Sequence, residues 1–422
     1  MSDWFLLGFI VLSLTAGAVA WWRPQAGALL LVLALPAYQV RGSIFHLPTT
    51  LLEGMLLLAV AGAVLHWWSG RSPWPRIPST WLVFAGLWLG VGVVGVLAAP
   101  DHWQALGLWR AYFLEPLLTI PLWWSVASSE VWRIRLLNLV AVQLVVIGSI
   151  AVLQRLGWVW SPSPWIEESP ARVTSWFAYP NAAALYVAPL TAYLFGAAIR
   201  LRERISVVHS SLWITAALFG FFTCFLVYSR GALFALGVGI VLTSFWAAHR
   251  KRWWTVIALV IVVGLLLPAT RQVVTKVLTK QDTSTDVRSV LWQGTWRVVR
   301  AEPISGAGLG GFPVAYQKYK LPQHIEFLQY PHNALLNVWT ELGILGVVAS
   351  CIGVFGLGVA LFRGLRRRDP WAVPALIAWS VLLIHGMIDV PYFKNDLAVL
   401  AVLLAALTVC APTGENKNVV RH

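Results

Sequence analysis

A few polar side chains interrupt a chain that is otherwise almost wholly apolar, and their types suit one kind of chemistry. Arg172, Arg230 and Arg288 lie far apart, each beside an apolar stretch, and His332 opens the segment YPHNALLNVWTELGILG. A guanidinium never loses its proton and grips phosphate oxygens through two parallel N–H donors. An imidazole, with a pKa near neutrality, can take a proton from a hydroxyl. Together they suit a reaction in which a diphosphate leaves while a hydroxyl attacks, the arginines stabilising charge that grows on the leaving group.

Each residue also has a plainer reading. Arg230, in the Tyr228-Ser229-Arg230-Gly231 turn between two apolar runs, is either a snorkelling arginine at a helix end or an anion ligand at the membrane surface. Arg172 precedes aromatic residues and is either solvated or a ligand. His332 is either a polar cap or a base.

Arg288 carries more information. Through STDVRSVLWQGTWRVVRAEP a helical period puts Ser289, Gln293, Arg297 and Arg300 on a polar arc, and Val287, Val290, Leu291, Trp292, Trp296, Val298 and Val299 on the other. Arg288 falls among the apolar set, where a charge needs an acidic neighbour or a bound anion. Asp286 is the local acid but points to the polar arc.

After His332, Asn333, Asn337, Thr340 and Glu341 recur on one helix face and Leu335, Val338, Leu342 and Leu345 on the other, so the first turns are amphipathic. Asn181, after Pro180, is a natural N-cap for the next apolar run. Gly306, Gly308 and Gly311 match G-x-G-x-x-G, but the segment follows a helix and no βαβ unit surrounds it. A surface turn is expected there, with flexible backbone near a phosphate as the other reading.

The elements that must hold these residues are membrane helices. The 422 residues are 59% hydrophobic and 11% charged, against about 25% charged in soluble domains. Only helices or closed barrels satisfy their backbone across about 30 Å of hydrocarbon. Apolar runs at 4–20, 26–40, 49–68, 80–98, 104–127, 133–153, 181–200, 211–228, 231–248, 253–268, 342–362, 370–389 and 395–411 predict an all-α polytopic bundle of about 12–13 transmembrane helices. The organisation expected is 1–268 spanning helices, 269–332 a large external loop, 333–411 C-terminal spanning helices and 412–422 a cytoplasmic tail. The first run reads as a retained span rather than a cleaved signal.

A net charge of +14 could point to nucleic acid, but the basic residues cluster in short loops. Arg71/Arg76, Arg133/Arg135, Arg200/Arg202/Arg204, Arg250/Lys251/Arg252 and Arg363/Arg366/Arg367/Arg368 read as topology signals that set the cytoplasmic face. The Trp pairs 21–22, 67–68, 123–124 and 253–254 mark the same interface. This places 154–180, 228–231, 269–332 and 389–395 together on the external face. Inside the membrane, Arg110 is expected to pair with Glu115 or Glu53 and lock helices together.

Cys224, Cys351 and Cys410 sit in apolar runs without paired spacing and read as core residues. His46, His66, His102, His209 and His249 have no ligand-like partners, and His385 with Asp389 is one pair short of a metal site. Asp282, Asp286, Glu302 and Glu326 form no D-x-D pair to hold a metal against a diphosphate. Metal independence and no cofactor are expected.

The segments RVTSWFAYPNAAALY, YSRGALFAL, DVRSVLWQGTWRVVRAEPISGAGLGGF, YPHNALLNVWTELGILG and HGMIDVPYFKND, in that order across residues 172 to 396, resemble the bacterial O-antigen ligase and polymerase superfamily. The family pattern often reads Asn-Pro-Asn where this chain has Tyr179-Pro180-Asn181. The resemblance implies a GT-C-like fold in the cytoplasmic membrane, with the site under a large periplasmic loop. It also implies metal-independent, inverting transfer from an undecaprenyl-diphosphate-linked oligosaccharide to a glycan, lipid or protein acceptor. Carried over by position, Arg172, Arg230 and Arg288 would bind the diphosphate and His332 would be the base. Asn181, Asn333, Asn337, Asp389 and Lys394 would support substrate binding. The alternative is a multi-pass anion or bicarbonate transporter, against which no inverted repeat of broken helices is visible.

Overall fold

The protein, seen in a computed structural model, is described over residues 3–44, 47–167, 171–245, 254, 283–322 and 328–410. The expected run 253–268, the clusters at 250–252, Asp282, Glu326 and the 412–422 tail lie outside these residues or at their edge.

Helices dominate, as the hydropathy requires. In order they are α1 (Asp3–Trp22), α2 (Pro24–Ala34), α3 (Leu51–Trp68), α4 (Ser79–Leu97), α5 (His102–Trp109), α6 (Glu115–Leu118), α7 (Ile120–Ala127) and α8 (Glu130–Arg155). Then follow α9 (Pro180–Arg200), α10 (Val207–Leu226), α11 (Arg230–Ser244), α12 (Thr283–Ala301), α13 (Phe312–Tyr319), α14 (Ala334–Arg366), α15 (Ala372–Gly386) and α16 (Asn395–Val409). Among the described residues, six helices are long and apolar enough to cross a membrane: α3, α4, α8, α9, α10 and α14. The chain is an all-α polytopic membrane protein.

Two expected spans take other forms. The run 26–40 makes only the 11-residue α2 and a short 3-10 turn, Leu35–Gln39. Eleven residues rise about 16 Å, roughly half the hydrocarbon thickness. The chain then turns into a hairpin, β1 (Arg41–Ile44) antiparallel to β2 (Leu47–Thr50). The run 104–127 is broken by a π-type turn at Arg110–Leu114.

That turn carries the ion pair expected inside the bundle. Arg110 Nη2 lies 2.9 Å from Glu53 Oε2 and its Nε 3.1 Å from Glu115 Oε1. Asn395 Nδ2 donates to Glu115 Oε2 at 3.0 Å, so α3, α6 and α16 are tied at one point. Glu53 also closes a capping box with Thr50, which starts α3 where the hairpin ends.

Arg133, expected as part of a basic topology cluster, has a structural role as well. It is fully buried and donates to the carbonyls of Ala127, Leu407 and Cys410, with its guanidinium over the Trp371 ring. One side chain thus satisfies the last carbonyls of α7 and α16, which no helical N–H reaches. Trp123 and Trp124 are buried as well, unlike Trp22 and Trp68, which stand at exposed helix ends as an interfacial belt requires. Cys351 is exposed rather than in the core.

Candidate active site

His332 stands at the N-terminal end of α14, two residues before its first turn, and its backbone is left-handed, with φ +50°. That conformation is rare for a side chain with a Cβ and costs about 1 kcal/mol or more. It turns the imidazole toward the link between α15 and α16, where Nδ1 lies 3.3 Å from Asp389 Oδ1. The ring also packs edge-on against Tyr330, centroids 4.7 Å apart.

Asp389 is 2% exposed. Burial pushes its carboxyl up, but the hydrogen bond and charge of His332, with His385 and the Val390 N–H, outweigh burial and hold it below the usual carboxylate value. An ionised carboxylate only accepts, so Nδ1 carries the proton that faces Asp389, and whenever the ring is neutral its lone pair is on Nε2.

The arginine segments meet around this pair. Trp292 Nε1 donates to the Pro331 carbonyl at 2.9 Å, which docks α12 beside His332. Arg288, one turn earlier on the same face, is half-buried. It is close enough to His385 for its charge to act there, and among the described residues it makes no hydrogen bond or ion pair. Arg230 begins α11, with its guanidinium over the Tyr228 ring. A Cβ on the next residue, Gly231, would meet Ile388 at 2.1 Å and His385 at 3.2 Å, so this turn is pressed against the Asp389 link. Arg172 donates from Nε to the Val227 carbonyl at 3.1 Å, which ties it to the same turn, and from Nη2 to Asn181 Oδ1 at 2.8 Å.

The supporting residues divide. Asn181 is not the N-cap: Tyr179 is, with Pro180 at the first helical position, and the Asn181 amide orients Arg172 instead. Asn333 is the N-cap of α14, its oxygen accepting from the Leu336 N–H and its Nδ2 donating to the Met387 carbonyl. Both ends of that amide are therefore used in joining α14 to the Asp389 link. Asn337 and Lys394 differ, because Asn337 Oδ1 and Lys394 Nζ are buried without a hydrogen-bond partner among the described residues. The Lys394 ammonium rests 4.1 Å from the centre of the Tyr179 ring and 6.0 Å from that of Tyr330. Burial pushes it down to about 8, against the pull of Asp396.

The glycine-rich segment is not the surface turn expected of it. Gly306, Gly308 and Gly310 have φ of +66°, +79° and +70°, and the segment is wedged into the bundle. Ala307 N–H donates to Thr340 O at 2.6 Å and Leu309 N–H to Gly95 O at 2.9 Å. At the same level α14 kinks at Gly343, φ 63° and ψ −162°, and Ile344 N–H donates to Pro303 O at 3.1 Å instead of up its own helix. This clasp fixes α12, and with it Arg288, to the helix that follows His332. The four positive-φ glycines are visible in sequence, but their partners are not.

An apolar groove of about 630 Å3 opens beside the site, lined by Ala334, Leu335 and Val338 of α14, Met387 and Pro391 of the Asp389 link, and residues of α4, α15 and α16. Exposed Cys351 lies on its wall. Among the described residues, no group of three or more His, Cys, Asp or Glu side chains could hold a metal ion.

The profile of the family described as O-Antigen ligase matches residues 215–351. The matched stretch contains Arg230, Arg288, His332 and the glycine clasp. No curated protein matches the chain.

Proposed function

We propose that the chain, whose residues 215–351 match the O-Antigen ligase family, carries out a membrane glycan transfer of the O-antigen ligase and polymerase type and moves a glycan from an undecaprenyl-diphosphate-linked donor to an acceptor hydroxyl. The observation that carries this reading is Arg288. It is half-buried and without a partner among the described residues, on the helix face that docks beside the His332–Asp389 pair, where an anion would complete it. The neighbouring groove supplies an apolar path for a polyprenyl tail.

In this reading the diphosphate lies against Arg288, Arg230 and Arg172, and the acceptor hydroxyl sits at His332 Nε2. The acceptor oxygen attacks the anomeric carbon from the face opposite the diphosphate, so the configuration inverts. The bond from that carbon to the diphosphate oxygen breaks, its electron pair leaves with the lipid diphosphate, and the hydroxyl proton passes to Nε2. Asp389 then stabilises the imidazolium through Nδ1. The arginines take the role a metal would otherwise play at the leaving group. Lys394 Nζ and Asn337 Oδ1, which lack hydrogen-bond partners among the described residues, join the substrate in this reading, the ammonium donating to sugar or phosphate oxygens and the amide oxygen accepting from a sugar hydroxyl. The site faces the periplasm of the cytoplasmic membrane, on the side away from the loop clusters of arginine.

The test is transfer by purified protein in proteoliposomes given lipid-linked oligosaccharide and a candidate acceptor. His332→Gly accepts the left-handed backbone without strain, and Arg288→Ala removes a cation that has no hydrogen bond or ion pair among the described residues. Both should fold and lose transfer by on the order of 10²-fold or more. Transfer that persists in both variants would refute the site. Anion flux without transfer in the wild type would favour the transporter reading, to which the family match gives no support.

A further inference from the structure

At the end of the bundle opposite His332, a second cavity of about 830 Å3 lies between α4 and α14, with contributions from the segment after α9 and from the start of α15. Its mouth carries Arg204, Arg363 and Arg367, and its walls include Trp81, Phe84 and Phe355. We infer that this cavity binds an anionic phospholipid, with the headgroup phosphate held by the three arginines and the acyl chains laid along the aromatic wall toward the apolar groove. The inference is independent of glycan transfer and would stand if that reading failed.

Three observations carry it. Arg363 in the last turn of α14 and Arg367 at its C-cap are one turn apart and so lie on the same side, and Arg204 joins them from another segment. None of the three side chains makes a hydrogen bond or ion pair among the described residues. Second, the carboxylates at the mouth do not neutralise them. Asp369 is engaged in capping the Trp371 N–H at 3.0 Å, and Glu130 is in the first turn of α8, so three cations face two anions there.

Third, the cavity continues into the apolar groove: Trp81, Phe84, Gly353, Phe355 and Val409 line both. A soluble anion would gain nothing from those walls, and a neutral lipid or a polyprenyl tail would gain nothing from the arginines. An amphiphile with a negative head matches both halves. Basic pockets between spanning helices are recognised by anionic lipid headgroups for this reason.

The experiment is native mass spectrometry of the detergent-purified full-length protein titrated with phosphatidylglycerol and, separately, phosphatidylcholine. The wild type should retain phosphatidylglycerol in preference. The double variant Arg363→Ala/Arg367→Ala should bind it about 30-fold more weakly, roughly fivefold for each basic residue lost near an anionic headgroup. Gly356→Leu tests the apolar half without touching charge. A Cβ there meets only Trp81, at 3.8 Å, so the side chain fills the cavity and should also displace the lipid. Arg366→Ala is the control, since that arginine lies over Phe362 and does not line the cavity; its binding should match the wild type. The inference is overturned by equal retention of the two lipids, by undiminished binding in either the double variant or Gly356→Leu, or by an equal loss in Arg366→Ala, which would mark generic surface charge.

Discussion

Replacing Gly343 by alanine asks whether the clasp between the glycine-rich segment and the α14 kink holds the proposed site together. The backbone there has φ 63° and ψ −162°, a region essentially reserved for glycine that costs other residues about 1–3 kcal/mol. An added Cβ would also sit 1.8 Å from the Ile304 carbonyl oxygen, a backbone atom that cannot rotate away. The two segments must separate, which breaks the Ile344 to Pro303 and Ala307 to Thr340 hydrogen bonds, each contributing about 0.5–1.5 kcal/mol. The combined loss is roughly 2–6 kcal/mol, enough to undock α12 from α14.

Arg288 would then shift relative to His332, and a misplacement of about 1 Å costs on the order of 10²-fold in rate. The assay is proteoliposome transfer with kcat and KM measured separately, beside a thermal melt in detergent. Gly358→Ala is the control, because a Cβ there meets nothing within 4 Å and alanine is the better helix former by up to about 1 kcal/mol. Transfer by Gly343→Ala within about threefold of wild type would refute the claim that this joint positions the site, since the rate penalty reasoned above is far larger.

Asp389→Asn should keep the fold and lower kcat by on the order of 10²-fold with little change in KM, because in the proposed mechanism it withdraws support from the imidazolium and not from the diphosphate. Since the folded Asp389 carboxyl lies below its unfolded value, its contribution to stability is fully present above the ordinary carboxylate pKa. It is lost as pH falls through the lowered folded value. Melting curves of wild type and Asp389→Asn should therefore be separated at pH 7 and converge in acid; a gap that widens in acid would contradict the pairing. Arg133→Met should lower stability by about 3 kcal/mol or more, because it strands buried carbonyls, and leave kcat of the folded fraction unchanged. Thermal stability and transfer per folded molecule check the two halves.

Much of the protein was legible before folding was considered. Hydropathy named the spanning helices because a helix in lipid must be apolar along its own length, a local property. The helical period of 283–301 separated Leu291 and Val298, which are buried, from Gln293 and Arg300, which are exposed, and it singled out Arg288 on the wrong side. The pairing of Arg110 with Glu53 and Glu115 followed from the cost of an isolated charge in the membrane. The half-length α2 was not readable, because its apolar residues are buried by α3 and α8 whether or not the helix crosses.

Composition and period therefore determined that the chain lives in a membrane, where most of its long helices run, and which cations are out of place. Tertiary structure alone decided that His332 faces Asp389, that Asn181 orients Arg172 while Asn333 caps a helix, that Arg133 closes two helix ends, and that the glycines form a clasp. The reason is physical. Burial and periodicity are set by neighbours within a few residues, whereas each of these contacts joins atoms from segments distant in sequence, and an amide or guanidinium has no role until the fold brings it a partner.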